Sequence, residues 1–166
     1  MGCASSKYSS VLYTKLKGTV LVAFHYNGGI IVGTESRGSS EDKPNYPLAI
    51  RDDIKKMVSV SSKIIYVIQG VHADCMEMNR HIRKKFPGEY AGNAPTISSV
   101  VEKVYEYLNG LHDKEKVCGA IVAGFDASGP QIHFIFIKNG KIVKERPSVG
   151  AAALGSGQAY ANRPCF

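Results

Sequence analysis

The chain has 166 residues, 44% of them hydrophobic, enough for one domain with a packed core. No apolar run reaches the roughly 18 residues that cross a bilayer, and residues 1–18 lack the apolar stretch of about 7–15 residues found in secretory signals. The expectation is a cytoplasmic and nuclear protein without a membrane partner. The net charge of +7 suits acidic partners. Much of the excess, however, lies in Arg80, Arg83, Lys84 and Lys85, at the end of a predicted helix where cations favour the dipole. No aromatic-rich strand motif accompanies them, so no nucleic-acid partner is expected. None of the four cysteines, Cys3, Cys75, Cys118 and Cys165, sits in a C-x-x-C pair. Reduced thiols are expected, with no metal and no organic cofactor.

Residues 1–18 are polar and without a sustained period, and read as a leader. Two apolar runs, Val20 to Phe24 and Ile30 to Gly33, flank Asn27-Gly28-Gly29 and predict a hairpin with both strands buried on two faces. Residues 38–53 are rich in charge and turn formers and predict a loop. Met57 to Val60 and Ile64 to Ile68 predict a second strand pair across Ser61-Ser62-Lys63. After Gly70, the spacing of Val71, Cys75, Met78, Ile82 and Phe86 predicts a helix with one apolar stripe, stopped by Pro87-Gly88. A second helix follows Pro95, with Ile97, Val100, Val101, Val104, Leu108 and Leu111 on one face. Strands resume at Ala120 to Phe125 and Ile132 to Phe136. Asn139-Gly140 then predicts a tight hairpin. Residues 148–157 (SVGAAALGSG) are small and read as flexible. Strand runs separated from a helix pair point to an α+β fold of antiparallel sheets with helices packed outside.

Several of these blocks, in this order, resemble the proteasome β-type subunits of the N-terminal nucleophile hydrolases. They are GTVLVAFHYNGGIIVGTESRGSS from Gly18, KMVSVSSKIIYVIQGVHADC from Lys56, AIVAGFD from Ala120, and Gly155-Ser156-Gly157. The resemblance implies an αββα four-layer sandwich over residues 19–166, with 1–18 a propeptide removed between Gly18 and Thr19. It also implies a threonine peptidase of unfolded polypeptides, working among α- and β-type subunits in stacked heptameric rings.

By this resemblance Thr19 is the nucleophile, and its α-amine, once freed, is the base. Such an amine titrates near 7.7–8.0 and keeps a neutral fraction at working pH. Lys56 matches the catalytic lysine, with the adjacent Lys55 as the fallback, although a one-residue shift in a strand points the other way. Glu35 stands where the family has aspartate, and Arg37 matches the arginine that follows. Gly70 would offer its N–H to an oxyanion, and Ser156 would close the network around the amine. Gly38, Ser39, Ile54, Ile68, His72 and Met76 match the substrate-binding positions. An apolar Ile68 implies cleavage after hydrophobic or small neutral residues.

The family pattern runs on past Gly155-Ser156-Gly157 with further helices and strands, whereas the ending Arg163-Pro164-Cys165-Phe166 does not resemble it. The expected sandwich therefore lacks its last helices and strands, which would leave one sheet face uncovered. Glu35 and the shortened pattern also admit a non-catalytic β-type subunit. A third reading rests on Met1-Gly2-Cys3-Ala4-Ser5-Ser6, which fits an N-terminal lipidation signal and would make the protein a lipid-anchored interaction partner.

Overall fold

The computed structural model describes residues 19–39, 50–87, 94–111, 118–147 and 151–155. In chain order they form β1 (Val20–Tyr26), β2 (Gly29–Thr34), β3 (Gly38–Ser39), β4 (Ile50–Arg51), β5 (Met57–Ser59) and β6 (Ile64–Gly70). Two helices follow, α1 (His72–Lys85) and α2 (Ile97–Asn109). Then come β7 (Cys118–Asp126), β8 (Gly129–Lys138), β9 (Lys141–Glu145) and β10 (Ala151–Gly155).

Every strand pair is antiparallel. One sheet has the order β10-β1-β2, a larger one β5-β6-β7-β8-β9, and β3 pairs with β4 alone. The two predicted Asn-Gly turns are two-residue turns with positive φ at both positions, 45° and 74° at Asn27 and Gly28, 52° and 70° at Asn139 and Gly140. That is the turn whose twist matches the flanking strands.

Two apolar clusters define the layers. Leu21, Ala23 and Leu154 of the smaller sheet pack against Val67, Ile121, Ala123, Ile132 and Phe134 of the larger one. The opposite face of the larger sheet, through Ile64, Tyr66, Ile68, Ala120, Val122 and Ile135, meets both helices. The helices bring their predicted stripes, Cys75, Met78 and Ile82 from α1 and Ile97, Val100, Val101, Val104 and Leu108 from α2. The described residues thus build three layers: a helix pair, a five-stranded sheet and a three-stranded sheet. A fourth, helical layer over the outer face of the three-stranded sheet is not found among them.

Three expectations need correction. First, β1 is not buried on both faces: Leu21 and Ala23 are buried while Val20 and Val22 are partly exposed. The neighbouring sheet covers one face alone. Second, residues 151–155 are a strand, not a flexible stretch, because β1 supplies a complete ladder from Val20 opposite Gly155 to Phe24 opposite Ala151. Third, the loop predicted over 38–53 contains the short β3–β4 pair.

Candidate functional site

Four chain segments converge at one end of the sandwich. Thr19 immediately precedes β1 and is buried. Beside it, β2 ends with Thr34 opposite Leu21, and the Glu35 N–H donates to the Val20 carbonyl at 3.4 Å. On the other flank Gly155 lies opposite Val20. Its φ is +100°, and a Cβ there would fall 2.0 Å from the Thr19 carbonyl oxygen. Only glycine permits β10 to approach Thr19 this closely.

Lys56 enters this end from the larger sheet. Its carbonyl accepts from the Ile68 N–H at 2.9 Å, which fixes it two residues from Gly70 along the β6 ladder. The side chain is 6% exposed. Its Nζ donates to the Arg37 carbonyl at 2.6 Å and lies 3.5 Å from Glu35 Oε1. Burial pushes the ammonium below its ordinary pKa, and Glu35 pulls it back up. The structure therefore brings Glu35 and Lys56 together. The pair joins the two sheets.

Arg37 takes part differently from expectation. Its backbone carbonyl holds Lys56, while its guanidinium reaches out to Asp52 at 2.7 Å, both side chains well exposed. Gly70 ends β6 opposite Cys118 with φ +127°, a value few other residues adopt, so the chain can turn there into α1. His72 opens α1. Burial first, then Arg51 and Lys56, holds its imidazole below the usual pKa. His72 thus lies within electrostatic reach of both Arg51 and Lys56.

Among the expected substrate-binding positions, Gly38 and Ser39 pair with Arg51 and Ile50, and the Ile54 N–H donates to the Ser36 carbonyl at 3.0 Å. Ile68 is 3% exposed, beneath the helices, whereas Met76 is 40% exposed on α1. Ser156, Gly18 and the Gly2-Cys3 motif lie outside the described residues.

Sequence reasoning missed several participants. Arg51 bonds Asp53, and neither carries a motif. Cys75 is buried behind Lys56, and burial raises its thiol pKa, so it is held as a neutral thiol. Among the described residues no group of His, Cys, Asp or Glu is arranged to hold a metal.

Two face-to-face antiparallel sheets, with a threonine before the first strand and a buried lysine paired to a part-exposed glutamate at the same end, make this an α+β protein of layered sheets. Residues 16–165 match the family described as "Proteasome subunit", and the chain belongs to that family. It is 25% identical over 146 residues to proteasome subunit beta type-5-A of Arabidopsis thaliana, covering 87% of this chain and 50% of that one. It is 29% identical over 150 residues to proteasome subunit beta type-8 of Canis lupus familiaris (87% and 49%) and 27% over 150 to beta type-5 of Dictyostelium discoideum (86% and 50%). The chain spans about half the length of these curated relatives.

Proposed function

We propose that this chain is a threonine-type endopeptidase subunit of a proteasome core, with the αββα four-layer sandwich of that family, assembled with other subunits in rings. The observation that carries this reading is Lys56. A lysine nine-tenths buried is costly. Here it is held by the Arg37 carbonyl and Glu35 at the end of the sandwich where Thr19 precedes β1.

In this reading the Gly18–Thr19 bond is cleaved and the new α-amine takes the proton of the Thr19 hydroxyl as its oxygen attacks the scissile carbonyl carbon. The Lys56 charge favours the alkoxide that develops, and the Gly70 N–H meets the oxyanion. Collapse expels the leaving amine and leaves an ester on Thr19, which water hydrolyses. Ser156 is assigned to the amine's network. Substrates are unfolded polypeptides, and a cut after hydrophobic or small neutral residues is what the resemblance assigns to Ile68, although the helices bury that side chain here.

Two observations support a second reading, a non-catalytic subunit: Thr19 is 4% exposed, and Glu35 takes the place of the family's aspartate. The two readings separate on the N-terminus of the protein purified from its native complex, by intact mass and N-terminal sequencing. A chain beginning at Thr19 supports the peptidase. A chain retaining residues before Thr19 leaves no free amine and supports the structural role. In the processed form, Thr19→Ala lowers peptide hydrolysis by at least about a thousandfold. A preference of the processed form for acidic residues before the cleaved bond contradicts the pocket reading.

A further inference from the structure

At the end of the sandwich opposite Thr19 an open groove of about 770 Å³ is lined by Ile30, Ile31, Val32, Ile65, Ala123 and Phe125, with Ser62, Lys63 and Gly124 at its rim. Its volume falls in the range of ligand clefts, about 300–1,000 Å³. Ile31 is 45% exposed and Phe125 38%. The rim is fixed by backbone: the Phe125 N–H donates to the Lys63 carbonyl at 3.0 Å, and a Cβ on Gly124 would lie 2.2 Å from that same oxygen.

β2 forms one wall, and among the described residues it pairs with β1 alone. In a two-residue hairpin the residues flanking the turn, here Tyr26 and Gly29, exchange both backbone bonds, and the pairs then alternate. Ile30 and Val32 consequently present their N–H and C=O groups to the open edge. Edge strands are usually guarded by charge, proline or shortness. β9 carries Lys141, Lys144 and Glu145, and β5 has three residues. Residues 26–34 (YNGGIIVGT) carry no charge and no proline.

We propose that this groove docks an extended apolar segment of another polypeptide, which adds as a strand to β2 and carries a carboxylate at the Lys63 end. Strand addition satisfies the outward backbone groups of Ile30 and Val32, and alternate side chains fill the apolar groove. Among the described residues Lys63 is the one charged side chain in the lining, and it sets the complementary sign at that end.

The test uses the full chain and a fluorescein-labelled eight-residue peptide of alternating valine and threonine with a free C-terminal carboxylate, read by fluorescence anisotropy. The expected result is saturable binding, about tenfold weaker for the same peptide with a C-terminal amide. Lys63→Glu removes the preference for the carboxylate form and leaves binding of the amide form unchanged. Val32→Pro, which deletes an outward N–H while keeping the β1–β2 ladder, weakens both forms by at least about tenfold. Circular dichroism confirms that each variant is folded. Lys63 is exposed, so its variant keeps the test decisive should Val32→Pro not fold. Absence of saturable binding overturns the proposal. So does equal binding of both peptide forms that is insensitive to Lys63→Glu. A concentration-dependent dimer abolished by Val32→Pro also overturns it, because the occupant is then a second copy.

Discussion

A lysine with 6% of its surface exposed survives at this site because oxygens surround its ammonium, among them the Arg37 backbone carbonyl and the Glu35 carboxylate. Removing the carboxylate leaves the charge under-compensated. Glu35→Ala is expected to lower stability by about 1–2 kcal/mol, since the Glu35 carboxylate is partly solvated and its pull is screened. Urea denaturation of the variant measures it, and Lys56→Met, which removes the buried charge as well, restores part of the loss. Gly155 is constrained in another way. A methyl group there meets the Thr19 carbonyl and requires a positive φ, so Gly155→Ala is expected to cost about 2–3 kcal/mol and to displace β10. Protection of the β1–β10 amides from hydrogen exchange reports that displacement directly.

At the scale of elements, the helices were legible because their apolar positions repeat at helical spacing, and the stripes are the residues buried against the larger sheet. Ile82 is fully buried, so Ile82→Ala should destabilise by about 3–4 kcal/mol in a denaturant titration. The start of α2 was legible only as "after Pro95". Its device is a reciprocal cap in which the Ser99 N–H donates to Thr96 Oγ1 at 3.1 Å and the Thr96 N–H donates to Ser99 Oγ at 3.1 Å. Serine replaces the usual Glu or Gln at the third position, so the pattern is easy to overlook. Asp126 adds a cap from outside the helix, accepting from the Ile97 N–H at 3.1 Å, a contact with no local sequence signal. The strand β10 was unreadable for a related reason: Ala151-Ala152-Ala153-Leu154-Gly155 has little β propensity, and the β1 edge imposes the conformation. The site divides similarly. Thr19, Glu35, Lys56 and Gly70 were reachable through ordered motifs, whereas the Arg37 carbonyl and the Arg51–His72 neighbourhood depend on chain packing.

For the molecule as a whole, acid should act in two stages. His72 and His133 are both held below the ordinary imidazole pKa, chiefly by burial and then by nearby cations, Arg51 and Lys56 for the first, Arg146 and Lys144 for the second. The unfolded chain therefore binds these protons more readily. Stability is full above the ordinary histidine pKa of about 6.5 and declines as pH falls below it. Asp126 is held below its usual value by the N–H groups of Ser128 and Ile97. Its contribution is present above the unfolded carboxylate pKa and fades as pH drops through the folded one. Urea midpoints from pH 7.5 to 3 should trace both declines, and replacing His72 and His133 with Gln should flatten the first. The strand order carries a consequence for synthesis as well. β1 and β2 leave the ribosome early, yet β10 joins β1 only after residues 35–150 have been made. At about 5–20 residues per second that interval is on the order of ten seconds. Among the described residues the second partner of β1 thus arrives last, and until then the early hairpin keeps that β1 edge open to chaperones.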